Sequence, residues 1–394
     1  MLISILVCAI MLTADPEPPA ATSPEDSARQ FAFRLAGFLN ERDGAKLSAA
    51  FDTKEMTDRI LDVEGADPIV RVGFEPGFRD NFRLGEVYCA QMESDAWSEP
   101  LRVTKNDEGG YKALLRVVQK GSLFYYLEFR IIQKGDDWAI VDLLSSGTPQ
   151  TQCERTQSAL LSRLELGFPK NTLDRSKAES SVSKLSKEGK FEEALARLEQ
   201  VEAEWGSSPF MRWQRVLVLG GLARWEEMQS VADAALQKDP DQVAIAMTAY
   251  DYLQGAKKYK EALRYLDPLD RWAGEDPYVE FVRGLFFVVL GEKERAVEFL
   301  EKSIAEDRYL PGPYLQLVNL GVELERWELV GKTLHGCEEY LEWDLSSLAD
   351  SEAFQGFFGS EVGKKWQAEW KLRQAEKARE QSEADEASDE LDDE

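Results

Sequence analysis

GKFEEALARL (189–198) is the first of five similar blocks in the second half of this 394-residue chain. The others are ARWEEMQSVA (223–232), KKYKEALRYL (257–266), GEKERAVEFL (291–300) and ERWELVGKTL (325–334). Each block begins 34 residues after the one before it, without any insertion. A regular period of this length predicts a stack of similar supersecondary units that bury a core between neighbours.

Two positions within each block explain how such units pack. The sixth residue is a small or aliphatic one that lets two antiparallel helices approach each other, in the series Ala194, Met228, Ala262, Ala296 and Val330. The third residue is aromatic in four of the five blocks and is expected to fill the space against the next unit, in the series Phe191, Trp225, Tyr259, Lys293 and Trp327. In the fourth unit, Gly284 and Gly291 predict a helix contact and a turn.

This pattern resembles the tetratricopeptide repeat, an all-α solenoid, over residues 175–344. The resemblance implies a concave groove lined by the second, fifth and ninth residues of each unit, with units starting at 175, 209, 243, 277 and 311. The groove residues singled out on this basis are Phe210, Trp213, Leu217, Tyr278, Phe281, Leu285, Leu315 and Asn319. Such a groove suits an apolar or basic protein segment. The alternative is that the first domain or the C-terminal helix already covers it.

The first half of the chain predicts an α+β domain over residues 24–148. Ser23 or Ser27 is suited to cap an amphipathic helix. The runs YKALLRVVQ (111–119), LFYYLEFRIIQ (123–133) and WAIVDLLS (138–145) are strand-like and are separated by short turns, which predicts an antiparallel meander. In the middle strand, one face is predicted to lie against the core, namely Leu123, Tyr125, Leu127, Phe129 and Ile131.

Helices followed by YYLEFRIIQKGDDWAIVDLL (125–144) resemble the NTF2-like superfamily, whose fold is an α+β cone. The resemblance implies a pocket for which Tyr126, Glu128 and Asp142 are the polar candidates. Because the superfamily includes both enzymes and binding modules, a domain that binds a small molecule or catalyses a reaction, with the repeats as a targeting module, is the alternative function. A lone acid on a strand is more often a rim residue than a general base, so we expect no enzyme and no catalytic residue.

Composition excludes several classes of function. The net charge is −26, from 73 acidic and 47 basic residues, which argues against nucleic acid as a partner of the whole molecule. With one histidine, His335, the chain has neither a histidine-rich metal site nor a histidine relay, and we expect no metal and no cofactor. Cys89 and Cys153 are either a disulfide, if the chain is exported, or separate buried thiols.

The two ends of the chain predict its localisation and its caps. The apolar run at residues 2–12 is too short for a membrane span and predicts a signal peptide (1–14) followed by a flexible spacer (15–23). Export to the periplasm or secretion follows; if the run is instead a frayed apolar end, the protein is cytoplasmic. Between the domains, 149–174 predicts a connecting helix and hinge. After the repeats, 345–380 predicts a capping helix and 381–394 a disordered acidic tail.

Overall fold

The computed structural model describes residues 23–119, 123–164 and 167–392, the last of these with side chains as far as Arg379. The predicted signal peptide, and the predicted spacer as far as residue 22, lie outside these residues. No described helix has both the length and the hydropathy that crossing a bilayer requires.

The first part of the chain is five helices followed by a sheet. The helices are α1 (Pro24–Asn40), α2 (Gly44–Ala49), α3 (Thr53–Ile60), α4 (Ile69–Asp80) and α5 (Leu84–Gln91). The strands are β1 (Trp97–Lys105), β2 (Tyr111–Val118), β3 (Phe124–Lys134) and β4 (Asp137–Ser145). They pair antiparallel in the order β1-β2-β3-β4, which confirms the meander and adds β1 to it. The NTF2-like cone stays a prediction.

The meander buries the predicted face of β3. Leu127, Phe129 and Ile131 are at most 1 % exposed and pack with residues of α1 in one hydrophobic cluster. Leu123 is 46 % exposed because it precedes the first residue of β3, so its assignment to the core was wrong. The capping prediction is confirmed at Ser23, whose hydroxyl accepts a hydrogen bond of 3.1 Å from the backbone N–H of Asp26.

Helices make up the rest of the described chain. They are α6 (Gln152–Arg163), α7 (Lys170–Lys187), α8 (Phe191–Trp205), α9 (Pro209–Gly221), α10 (Trp225–Lys238), α11 (Val243–Gly255), α12 (Tyr259–Ala262), α13 (Leu266–Ala273), α14 (Pro277–Leu290), α15 (Lys293–Glu306), α16 (Pro311–Glu323), α17 (Trp327–Tyr340), α18 (Gln355–Gly359) and α19 (Glu361–Asp392). A 3₁₀ turn joins α12 to α13, so that together they form the second helix of the third repeat. Residues 170–340 are therefore five helix pairs at the predicted period.

Two compact units divide the chain. The first contains residues up to 238 together with 242–247, and the second contains 239–241 together with residues from 248 onward. The division falls at the start of the third repeat, whereas the sequence predicts a hinge within 149–174. Within the first unit, α6 packs against both β4 and α7, so the sheet and the first two repeats share one body.

The turn between the two helices of each repeat contains a residue with left-handed backbone dihedral angles. The first residue of every block has a positive φ, in the series Gly189, Ala223, Lys257, Gly291 and Glu325, with values from 53° to 77°. Gly291 confirms the predicted turn in the fourth unit. Glycine adopts this conformation at no steric cost, whereas other L-residues are strained in it. Three repeats therefore carry strain that the sequence pattern does not reveal.

The small residues allow close packing within each repeat and between neighbouring repeats. The sixth residue of every block, from Ala194 to Val330, is fully buried. A Cβ atom added to Gly284 would lie 2.7 Å from Cγ of Leu300, which confirms Gly284 as a helix contact. Two of the aromatic side chains reach the next repeat, as predicted. A Cβ at Gly221 would lie 2.5 Å from the Phe191 ring, and the ring centroids of Tyr259 and Phe286 are 5.2 Å apart.

A hydrophobic cap covers the last repeat. The rings of Trp327 and Phe357 are 6.3 Å apart, and Phe357 is fully buried. Leu348 and Phe354 join the same cluster. Glu338 of α17 is 4 % exposed and accepts hydrogen bonds from Arg373 (2.9 Å) and Gln374 (2.7 Å) of α19. These bonds hold α19 against the last repeat.

The predicted disordered tail is helical instead. Helix α19 continues through 381–392, and 393–394 lie outside the described residues. Neither glycine nor proline interrupts the helix over 381–392, although aspartate and serine, which are weaker helix formers, are as frequent there as alanine and glutamate.

The cysteines of the described chain are free, buried thiols. The Sγ of Cys153 lies 3.6 Å from the carbonyl oxygen of Val141, and burial is the main cause that raises its pKa. Burial also raises the pKa of Cys89, and it raises that of Cys337 to about 12. Of the two alternatives that the sequence leaves for Cys89 and Cys153, the structure has the separate thiols.

We predict that Gly284→Ala lowers the free energy of unfolding by about 1–3 kcal/mol, because the new methyl group would overlap the fully buried Leu300. Urea denaturation measures the change. The matched control is Gly37→Ala in α1, where a Cβ would meet no atom within 4 Å. There the same substitution should stabilise the helix by about 0.5–1 kcal/mol, and a loss of stability at both positions would refute the packing argument.

We predict that Ala223→Gly raises the free energy of unfolding by about 0.5–1 kcal/mol, because it removes left-handed strain at a φ of 56°. The control is Ala234→Gly, an exposed position inside α10, where glycine should cost about 0.5–1 kcal/mol. Thermal and urea unfolding of both variants give the comparison. Equal effects of the two substitutions would contradict a special role for the turn.

Candidate functional site

In the second compact unit, which begins at the start of the third repeat, the predicted groove residues are not equally accessible. Tyr278 and Phe281, in the first half of α14, are 3 % and 8 % exposed. Their ring centroids are 5.4 Å apart, and a Cβ at Gly312 of α16 would lie 2.6 Å from the Phe281 ring. These two side chains are therefore packed against the neighbouring repeat, and cover by the first domain or the C-terminal helix stays a prediction.

Other predicted groove positions on α14 and α16 remain partly accessible. Leu285 of α14 and Leu315 and Asn319 of α16 are half-buried, and Val289, one turn after Leu285, is 60 % exposed. Residues four apart share one face of a helix, and α14 contacts α16. We call Leu285, Val289, Leu315 and Asn319 the inner stripe. It is a partly exposed surface with three aliphatic side chains and one amide.

The groove residues of the first unit lie on α9. Phe210, Trp213 and Leu217 are all half-buried, and the rings of Phe210 and Trp213 are 5.6 Å apart. Phe210 also packs against the core of the first repeat, which includes Val182 and Leu198. These side chains are thus shared between a surface and the local core.

Asp251 stands at a predicted groove position that the sequence reasoning did not single out. It is the ninth residue of the third repeat, equivalent to Leu285 and Asn319, and the same rule of positions would have found it had it been applied to that repeat. Its side chain is exposed, and no cation among the described residues forms an ion pair with it. Burial of its surroundings nevertheless raises the pKa of this carboxyl from 3.8 to about 7.

The neighbours of Asp251 place it beside the inner stripe. The rings of Tyr250 and Phe286 stack between α11 and α14 with centroids 5.9 Å apart. Asp251 follows Tyr250 and Leu285 precedes Phe286, so the two lie at a similar level along their helices. One turn further along α11, a Cβ at Gly255 would meet no atom within 4 Å. The space next to Asp251 is therefore open.

The cations of the second unit that lie near this region pair elsewhere. Arg283, at a position where the repeat pattern favours leucine, lies 3.0 Å from Asp267 and 3.5 Å from Asp270 between charged atoms. Burial raises the pKa of Asp270 to about 6, although Arg283 opposes the change. Lys302 lies 2.8 Å from Glu280, which is 1 % exposed.

The second face of the sheet carries the pocket candidates of the first domain. Tyr126, Glu128 and Asp142 are all at most 7 % exposed. The strand register places charged residues beside one another on this face. The ion pairs join Arg116 to Glu99 (2.6 Å), Lys112 to Glu128 (3.9 Å) and Arg130 to Asp142 (3.9 Å).

Structural hydrogen bonds already occupy the carboxylate of Asp142. Its Oδ1 accepts from the backbone N–H groups of Leu143 and Cys153, each at 2.9 Å. This acid therefore joins β4 to the start of α6. Together with the ion pair to Arg130, these contacts give the residue a structural role, and the pocket stays a prediction.

Among the described residues, no set of metal ligands is assembled, and the single histidine lies on a helix surface. No group of three or more histidine, cysteine, aspartate or glutamate side chains there is arranged to hold a metal ion. His335 lies on α17 with an exposed side chain, and its Nε2 is 3.5 Å from a carboxylate oxygen of Glu339.

Comparisons with known proteins give a likeness only to solved structures. No family model matches the sequence, and no curated protein matches it. MamA from Desulfovibrio magneticus is 20 % identical, with a TM-score of 0.32, over 45 % of this chain and 97 % of that one. PilW, a type IV pilus biogenesis factor, is 14 % identical, with a TM-score of 0.29, over 50 % and 92 %.

A tetratricopeptide-repeat protein of Thermus thermophilus is 16 % identical, with a TM-score of 0.25, over 45 % of this chain and 96 % of that one. At these scores, none of the likenesses says what this chain binds. The repeat fold follows from the chain itself, through five helix pairs, their left-handed closing residues and their buried small residues. Residues 170–340 have the helix-pair fold of tetratricopeptide repeats.

We predict that Asp251→Asn stabilises the second unit more at pH 8 than at pH 5. An acid whose pKa is raised on folding loses stability as the pH rises from about its unfolded value to its folded value, here from 3.8 to about 7. Removing the charge therefore helps most above pH 7. Urea denaturation at both pH values measures the difference.

The control for this prediction is Asp350→Asn, which removes an exposed acid elsewhere in the second unit. Its effect should be small at both pH values. A stabilisation by Asp251→Asn that is equal at pH 5 and pH 8 would contradict the raised pKa of this carboxyl.

Proposed function

We propose that this chain is a non-catalytic protein that is exported and binds another protein through its helical repeats. The surface that supports the proposal best is the inner stripe of the second unit. There, side chains that a folded chain usually buries remain partly exposed on two adjacent helices, with Val289 exposed by 60 %.

The chemistry of the inner stripe suits a protein segment with apolar side chains. Leu285, Val289 and Leu315 offer aliphatic surface, and burying it against a partner is favourable by about 25 cal/mol for each Å² removed from water. Asn319 adds a side-chain amide that can both donate and accept hydrogen bonds with a backbone. Helices with apolar side chains presented side by side are a common way of binding peptides.

Two features of the sequence support export and protein binding further. The apolar run at residues 2–12 has the length of a signal peptide core. The charge of −26 keeps the chain soluble and repels nucleic acid, while it attracts basic partners.

The test is affinity capture with the full chain from an extract of its own organism, repeated with Leu285→Asp and Val289→Asp combined. We expect the double variant to lose the specific partner, because two carboxylates would have to be buried in the apolar contact. The captured protein is then purified, and its binding is measured by titration calorimetry.

The matched control is Val72→Asp, which places the same charge on α4 at a position that is 75 % exposed. It should bind the partner as the native chain does. Equal binding by the double variant, or a loss of binding only in the control, would place the interaction outside the repeats.

A further inference from the structure

We propose that Asp251 is a subsite for one lysine or arginine side chain of the partner, set beside the apolar inner stripe. This inference rests on the proposed function and adds the chemistry that the partner must have. Three observations carry it: the position of the carboxylate, the open space next to it and the absence of a basic residue at the described groove positions beside it.

Position is the first observation. Asp251, Leu285 and Asn319 occupy the ninth place of three consecutive repeats, and the stacked rings of Tyr250 and Phe286 set α11 directly beside α14. An extended segment that lies across the three helices would meet the carboxylate, then the leucine and then the amide. The subsite is thus continuous with the surface proposed to bind the partner.

Access is the second observation. Gly255 follows Asp251 by one helical turn and leaves open the space that a side chain there would fill. Val289, the equivalent residue of the next repeat, is largely exposed. A long, flexible lysine or arginine side chain can therefore reach the carboxylate from the solvent side while its methylene groups contact the aliphatic residues.

Charge is the third observation. No basic residue in the described structure occupies the groove positions around Asp251. These are the second, fifth, ninth and thirteenth positions of the fourth and fifth repeats, and Asp251 and Gly255 in the third. The only other acid in this set, Glu323, is paired with Lys293 at 2.7 Å. Asp251 is thus the one carboxylate of this face, among the described residues, whose charge is left for a partner to neutralise.

Energetics agree with a role in binding. The atoms that surround Asp251 raise the pKa of its carboxyl, so the charged form is less favourable there than in water. A cation from outside would remove this cost when it binds, so part of the affinity would come from relief of the unpaired charge. Charge-assisted hydrogen bonds are about twice as strong as neutral ones.

The experiment uses the full chain and two acetylated, amidated peptides, Leu-Leu-Lys-Leu-Leu and the same peptide with norleucine in place of lysine. Norleucine keeps the length of the side chain and removes its charge. We expect the native chain to bind the lysine peptide about 10-fold more tightly, and Asp251→Asn to abolish this preference. Titration calorimetry measures all four dissociation constants.

Two results would overturn the subsite. One is an affinity ratio below about 2 in the native chain, or a ratio that Asp251→Asn leaves unchanged; the other is no binding of the lysine peptide at about 1 mM. The variant with Leu285→Asp and Val289→Asp separates the two proposals. If the native chain binds both peptides equally and this variant binds neither, the inner stripe binds proteins but Asp251 does not select a cation.

Discussion

The repeats depend on backbones that approach each other more closely than ordinary side chains permit. Gly284 accepts the end of Leu300 where any Cβ would overlap it, and Gly321 does the same for Val330 of the following helix. Between these contacts, the chain reverses through a residue with positive φ, which only glycine adopts freely. The regular 34-residue spacing is the visible result, because an insertion in either helix would move the small residue away from its contact.

The same packing decides which part of each first helix is available to a partner. Near the start of α14, Tyr278 and Phe281 fill space inside the molecule, and Phe281 lies against the backbone of Gly312. Near its end, Leu285 is half-buried and Val289 is 60 % exposed. An aromatic residue at a groove position is therefore as much a core residue as a binding residue, and aliphatic side chains carry the accessible surface.

Features that depend on local patterns could be predicted from the sequence, and features that depend on distant contacts could not. The five helix pairs, the cap at Ser23 and the core face of β3 each follow from spacing within a short segment. In α4, by contrast, Gly73, Pro76 and Gly77 make the sequence pattern unlike that of a helix. The segment is nevertheless helical and packs against α3. β1 likewise forms only because β2 pairs with it along its length.

The candidate site shows the same limit. Leu285, Leu315 and Asn319 were predicted to line a groove and are half-buried, and the groove stays a prediction. The burial of Tyr278 and Phe281 depends on packing that no spacing rule contains. Asp251 occupies a predictable position, but its lack of a cationic neighbour is a property of the folded chain. The acids of the sheet are a further case, since the carboxylate of Asp142 is bound by the N–H of Cys153, eleven residues later.

The aromatic contacts between units also limit how this protein can have grown. Phe191 and Tyr259 each touch the unit that follows, and Trp327, the last of the series, touches Phe357 instead of another repeat. A sixth repeat appended after Tyr340 would part Trp327 from Phe357 and require a new cap. Duplication of the first or the third 34-residue block would repeat an aromatic residue that contacts the repeat after it. The array can therefore lengthen from within, while its C-terminal end stays fixed.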